Sequence, residues 1–278
     1  MGLIANFLDC FACCGQDKGH GGDQYLQPLN LLQPQHNGGA SVDELVEQSS
    51  AARERVWRSL GSLEPFALGQ SPTSGAIMAG PKWPAVRQNF RVIHRPGGTV
   101  MIVSDGLSDP FDDIHEGENN VNGFGLEFFM ETPADEIGTS LTEIKKSWQF
   151  QLLYTVSQLA AGHGGISNII DDMQLLSTEA EGVAEAIPEE WRRALVNRAG
   201  RVGALLGLTD GRLGAPDCVP ERIEGMPLTE VRLVNIKLIT LAELKLITDR
   251  GAEGRRKLSE LLAGEARLVS SIKRESVL

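Results

Sequence analysis

Two apolar runs separated by an acidic interval, Thr99–Ser104 and Phe124–Met130, constrain the fold of this chain more than any other feature. The first run is rich in β-branched residues and short enough to be a buried strand. It ends at the dipeptide Asp105-Gly106, which is typical of turns. Two glycines at the start of the second run indicate a close backbone approach or a bulge. The pattern predicts two sheet strands joined by a long acidic loop.

Acidic residues are concentrated in the same region. Between Arg95 and Lys145 there are eleven Asp and Glu but no Lys or Arg, and the rest of the chain has 26 residues of each sign. The formal net charge of −11 is therefore carried by this one segment. Such a segment attracts basic proteins and repels the phosphates of nucleic acids. We expect a basic protein partner and no nucleic acid; a surface that only keeps the protein soluble is the alternative.

Motifs in this region resemble the Suppressor of fused domain family. SDGLSDPF at Ser104–Phe111 and GFGLEFF at Gly123–Phe129 are similar to a loop and the following strand of that family. MPLTEVRLVNIKLITLAELKLI, at Met226–Ile247, is similar to its late strand and helix. The resemblance covers roughly residues 85–278. Together with the strand and helix patterns, it predicts a single α+β domain over residues 41–278, with a mixed, mainly antiparallel sheet packed against helices.

The resemblance also implies a function. Proteins that resemble Suppressor of fused hold a partner peptide or protein, and bacterial relatives are thought to include immunity proteins against secreted toxins. We therefore expect a non-enzymatic binding module, such as an immunity or regulatory protein that sequesters a basic partner. The expected partner-binding residues lie in the loop and the adjoining strand: Asp105, Leu107, Ser108, Asp109, Phe111, Asp112, Asp113, Glu116, Phe124 and Glu127.

A metal-dependent hydrolase is the alternative function. Asp109, Asp112, Asp113, His115 and Glu116 place carboxylates around one imidazole, a set that suits a divalent cation and an activated water. Their spacing matches no common metal motif, and the chain has no phosphate-binding loop or nucleophile elbow. Free loop acids are the simpler interpretation. We expect no catalytic residue, no metal and no cofactor.

Glu127 is unusual because it is the one charge inside an apolar strand. Such a carboxylate must be paired, exposed on one face of the sheet, or shifted toward its neutral form. The expected structural partner is Arg91 or Lys237, and a catalytic role is the alternative.

The first 40 residues are expected to form a flexible N-terminal segment with a Cys-rich start. Gly2 beside Cys10, Cys13 and Cys14 resembles the pattern of dual acylation, although Asn6 replaces the usual Ser or Thr. An amphipathic docking helix, a lipid anchor and a metal site are the alternatives for residues 1–14. No apolar run is long enough to span a membrane. We expect a cytoplasmic protein, with peripheral membrane contact through residues 1–14 as a variant of that prediction.

The remaining elements are predicted from apolar periodicity, capping residues and turns. The expected helices are Val42–Leu60, Ser140–Ala161, Pro188–Arg198, Leu241–Arg250 and Glu253–Ala263. The expected further strands are Glu64–Leu68, Ala76–Met78, Phe90–Ile93, Ile169–Leu176, Val231–Ile239 and Arg267–Ile272.

Overall fold

The computed structural model describes residues 40–69, 89–110, 121–212, 215, 217–264 and 267–278. The strands are β1 (Ser62–Leu63), β2 (Leu68–Gly69), β3 (Asn89–Arg95), β4 (Thr99–Asp105), β5 (Leu126–Pro133), β6 (Leu176–Ala180), β7 (Val202–Leu206), β8 (Arg222–Ile223) and β9 (Val231–Leu238). The α-helices in these ranges are α1 (Val42–Leu60), α2 (Leu141–Lys146), α3 (Trp148–Gly162), α4 (Ser167–Met173), α5 (Glu189–Leu195), α6 (Leu241–Arg250) and α7 (Ala252–Leu261).

The nine strands form one mixed sheet in the order β1-β3-β4-β5-β9-β7-β6, with β2 beside β3 and β8 beside β9. Neighbouring strands are antiparallel except β5 and β9, which are parallel. β9 thus lies in the middle of the sheet although it is the last of the described strands in the chain. The predicted α+β fold with a mainly antiparallel sheet is confirmed.

Both faces of the sheet are covered, which explains why its central strands are apolar on both sides. In β4, Val100 and Ile102 pack into the core on the α3 side. Met101 and Val103 pack into the other core, which α1 closes with Trp57. Glu127 is one residue from Phe128 of the first core and two from Phe129 of the second. Since side chains alternate along a strand, Glu127 belongs to the α1 side.

The capping boxes predicted at Ser41 and Thr240 are present, each with the Glu three residues later. The single helix predicted over Ser140–Ala161 is wrong, because Ser147 divides it into α2 and α3. The Ser147 hydroxyl donates to the Ile144 carbonyl at 2.7 Å and accepts from the Phe150 amide at 3.2 Å. Ser147 therefore ends one helix and caps the next, in an extended conformation.

Four other predicted elements differ from the structure. The strand expected over Glu64–Leu68 is wrong, because β1 ends at Leu63 and β2 begins only at Leu68. Ile169–Leu176 is mainly the helix α4, which ends at Gln174 with a positive φ of 61° before β6 begins. The helix expected over Pro188–Arg198 ends at Leu195. Arg267–Ile272 is not a strand, although Val269 makes one parallel bridge to Glu131. The strand expected at Ala76–Met78 lies outside the described residues.

Candidate functional site

The base of the acidic loop is built around Arg53, a buried side chain of α1. Its Nε donates to Asp105 Oδ1 at 2.6 Å, and its Nη2 donates to Asp109 Oδ1 at 2.8 Å. Its Nη1 donates to Ser108 Oγ at 3.1 Å. One planar guanidinium thus holds three side chains from the end of β4 and the turn that follows it. Arg53 ties the first helix of the domain to the turn that carries the sharpest sequence motif.

Glu127 lies beneath this guanidinium and accepts hydrogen bonds from the same turn. Its Oε1 accepts from the backbone amides of Gly106 and Ser108 at 3.0 and 2.9 Å, and from Ser108 Oγ at 2.7 Å. Its Oε2 accepts from Ser104 Oγ at 2.5 Å. The carboxylate is fully buried, so these donors replace the water that it loses. Glu127 therefore fixes the backbone of the turn.

The partner expected for Glu127 was wrong. Its charged neighbour is Arg53, at 3.8 Å from Nε to Oε1, and neither Arg91 nor Lys237. Burial raises the pKa of Glu127, and Arg53 opposes that rise. Burial also works against the charge on Arg53, but Asp105, Glu127 and Asp109 together raise its pKa above the ordinary value. Arg53 is thus a permanent cation among three carboxylates.

Asn122 closes the other end of the loop. Its Nδ2 donates to Ser49 Oγ on α1 at 2.8 Å and to the Ser108 carbonyl at 3.2 Å. Its Oδ1 accepts from the backbone amides of Leu228 and Thr229 at 2.9 and 3.0 Å. All the bonding groups of this buried amide are used. The two ends of segment 111–120 are therefore held by α1 and by the start of β9.

Gly123 is required at this junction for two reasons. Its φ of +49° favours glycine, and a Cβ placed there would lie 2.3 Å from the Leu107 carbonyl oxygen. The Phe124 amide donates to the same carbonyl at 2.8 Å. The close backbone approach predicted for the glycines before β5 is confirmed at Gly123.

A groove of about 690 Å³ lies beside the start of β5. Gly123, Phe124 and Gly125 line it together with residues 164–169 and Asp171 on one side and residues of β8 and β9 on the other. Arg232 pairs with Asp171, and Arg222 pairs with Glu230 and lies 4.0 Å from Asp171. The wall therefore has alternating charges that balance one another.

The predicted site residues divide into two groups. Asp105, Leu107, Ser108, Asp109, Phe124 and Glu127 are brought together, and all but the partly exposed Asp105 are buried. Asp109 is therefore not the free loop acid that was expected. Phe111, Asp112, Asp113, His115 and Glu116 lie outside the described residues, as do Gly2, Cys10, Cys13 and Cys14. Whether either group contacts a partner stays a prediction.

The acids between Arg95 and Lys145 that the structure describes all have partners within the protein. Asp105, Asp109 and Glu127 surround Arg53, and Glu131 pairs with Arg95. Asp135 pairs with Lys273, Glu136 accepts from the Ile272 amide, and Glu143 caps α2. The other four, Asp112, Asp113, Glu116 and Glu118, belong to segment 111–120.

Sequence reasoning missed Arg53, Asn122 and the arginines of the groove. For Arg53 a signal existed, because it lies four residues before Trp57 and therefore on the same face of the predicted helix. Asn122 and the groove had no such signal, since their partners come from distant parts of the chain.

Two searches of the described residues bear on other functions. No helix in those ranges is long and apolar enough to cross a membrane. In the same ranges, no three His, Cys, Asp or Glu side chains are grouped so that they could hold a metal ion.

Comparisons with known proteins were made on sequence and on structure. No protein-family model matches the sequence, and no curated protein matches it. Among solved structures, the fold is similar to the Sufu-Fu complex crystal structure, with a TM-score of 0.50 and 15% identity. The match covers 84% of this chain and 91% of that chain. The chain therefore has a Suppressor of fused-like fold, as the motifs at Ser104–Phe111 and Gly123–Phe129 predicted.

Proposed function

We propose that this protein is a non-enzymatic protein-binding module that recognises a basic partner through segment 111–120 and the adjoining groove. The distribution of the eleven acids supports this proposal most directly. Seven of them are used inside the domain, as described above, so the four in segment 111–120 provide the charge that remains to attract a partner. Val121, Gly123 and Phe124 line the groove, so segment 111–120 adjoins it in the chain.

A fixed base favours binding by this region. Asp109 and Asn122 flank segment 111–120, and both are buried and bonded to α1. Anchored ends reduce the conformational entropy that a binding loop loses when its partner arrives. The similarity to one protein of the Sufu-Fu complex is consistent with a protein partner. We further propose that the partner is sequestered, as an immunity protein sequesters a basic toxin or a regulator holds its target.

The hydrolase alternative is less well supported than binding. It included Asp109 among five candidate metal ligands, but Asp109 Oδ1 accepts from Arg53 Nη2 at 2.8 Å. A cation at this carboxylate would face the guanidinium, and like charges in a buried site repel strongly. The proposed function therefore assigns Asp109 to the base of the loop and recognition to the acids that follow it.

Association kinetics test the proposal. A partner is first captured on the immobilised full chain, and its association rate is then measured at low and high salt. The triple variant D112N/D113N/E116Q should slow association at low salt and flatten the salt dependence, since local charge steers encounter. The matched control E47Q/E253Q/E260Q removes three exposed acids from α1 and α7. Equal slowing by both variants would show that only net charge matters and would reject this site.

A further inference from the structure

Segment 267–278 fills a fork between two central strands. β5 and β9 are paired from Leu126 to Phe129 on β5 and then separate. The Ser270 amide donates to the Glu131 carbonyl on β5 at 2.7 Å. Ser270 Oγ accepts from the Leu238 amide on β9 at 2.9 Å and donates to the Ile236 carbonyl at 3.3 Å. One serine thus forms hydrogen bonds with main-chain groups of both strands, at the point where the strands no longer bond to each other.

Two buried side chains of β9 hold the backbone of this segment. Asn235 Nδ2 donates to the Leu268 carbonyl at 3.2 Å, and Lys237 Nζ donates to the Val269 carbonyl. Both residues are fully buried. A lysine in this position is unexpected, because an ammonium group loses most of its hydration there.

The charged groups around Lys237 come from three other elements. Arg274 of the segment pairs with Glu243 of α6 at 2.6 Å. Glu131 of β5 pairs with Arg95 of β3 at 3.1 Å. Burial, and secondly the nearby charge of Arg274, lower the pKa of Lys237 to about 7, although Glu243 and Glu131 act in the opposite direction. Both of these carboxylates are also paired with an arginine.

We propose that segment 267–278 is a proton-linked clasp, whose docking in the fork between β5 and β9 is strengthened when Lys237 loses its proton. The segment covers Lys237 when docked, and opening returns the amine to water. Opening also exposes main-chain groups of Glu131, Ile236 and Leu238, which are then available to another extended strand.

The direction of the pH dependence follows from the pKa of Lys237 when the segment is docked and when it is open. The amine has a pKa of about 7 when the clasp is closed and an ordinary lysine pKa, about 10.4, when it is open. Below pH 7 both states carry the proton, and docking does not depend on pH. Between pH 7 and about 10 the open state binds more protons, so docking strengthens as pH rises. The clasp is therefore weakest in acid and at neutral pH.

Hydrogen exchange of the full chain tests this proposal. Protection factors are measured by mass spectrometry for peptides covering 267–278 and, as a reference, for β4. The segment should be less protected than β4, which shows that it opens without global unfolding. Its protection factor should rise by nearly tenfold for each pH unit between about pH 7.5 and 9. In Lys237→Met, which cannot carry the charge, the rise should be absent.

A second variant keeps the test decisive if Lys237→Met does not fold. Ser270→Ala removes two contacts across the fork but retains Lys237. It should lower the protection of the segment at every pH while leaving the pH dependence unchanged. Protection of the segment equal to that of β4, or a pH-independent protection factor in the unmodified protein, would overturn the proposal.

Discussion

Arg53 Nε lies 3.8 Å from Glu127 Oε1, and this contact joins α1 to a central strand of the sheet inside the α1-side core. Gly106 and Ser108 of the turn after β4 form hydrogen bonds with this pair. The charges of the pair and the backbone conformation of the turn therefore depend on each other. Three carboxylates face one cation, and two of them are almost completely buried.

Removal of the Arg53 guanidinium should strongly lower the free energy of unfolding. Arg53→Met leaves the three carboxylates without a cation, and breaking a buried pair in this way costs about 3–5 kcal/mol. Arg53→Lys should be intermediate, since an ammonium cannot serve three acceptors in one plane. Arg58→Met on the same helix is the control, because its pair with Glu54 is exposed and contributes little. Urea denaturation gives the free energies; a loss below about 1 kcal/mol for Arg53→Met would contradict the structure.

Glu127 should make the free energy of unfolding decrease as pH rises. Because burial raises its pKa, its contribution to stability is complete below the ordinary glutamate pKa, about 4.3, and decreases as pH rises through the folded-state pKa. The free energy of unfolding of the unmodified protein minus that of Glu127→Gln should therefore fall from about pH 4.5 upward. Urea midpoints of both proteins across pH 4.5–7.5 measure it. A difference that grows with pH would mean that Arg53 outweighs burial.

The glycines near the groove should differ in their tolerance of a side chain. Gly123→Ala must accept both a positive φ and a contact of 2.3 Å with the Leu107 carbonyl. Gly164→Ala also has a positive φ, of +77°, but no atom within 4 Å of the new methyl group. The conformational cost alone is about 1–2 kcal/mol. Thermal melts should show that cost for Gly164→Ala and a clearly larger loss for Gly123→Ala; equal losses would show that the loop yields without penalty.

Removal of residues 1–40 should leave the melting temperature within a few degrees, because the capping box of α1 begins at Ser41. The same deletion should change localisation if Gly2, Cys10, Cys13 or Cys14 is acylated, a prediction from sequence alone. Cell fractionation of the full chain and the deletion variant tests the second point. A strong loss of stability would show that these residues pack against the domain.

Local sequence signals predicted local structure well. β4, β5 and β9 were found from β-branched and apolar runs, and the caps at Ser41 and Thr240 from the spacing of Ser or Thr and Glu. β7 was missed, because Gly203 within it resembles a turn in the sequence; a Cβ there would lie 3.0 Å from Ile239. The glycine allows close packing against a residue that is distant in the chain, which no local pattern indicates.

The candidate site could be predicted only in part for the same reason. The turn at Asp105 and the glycine before β5 have their own sequence signatures, and both lie where the sequence placed them. The partner of Glu127 was not predictable from β5 or its neighbours, since Arg53 approaches from a helix across the second core. The available signal was the position of Arg53 four residues before Trp57 and seven before Leu60, on the same helix face.

The position of β9 has a consequence for synthesis of the chain on the ribosome. β9 lies between β5 and β7, so β5 lacks its second neighbour until residue 238 has been made and released from the exit tunnel. Until then the nascent chain presents an apolar strand with an unpaired edge, which is a template for intermolecular pairing. The order of strands thus delays completion of the sheet until β9 has been made, and the edge of β5 that is unpaired until then is the kind of surface that chaperones protect during synthesis.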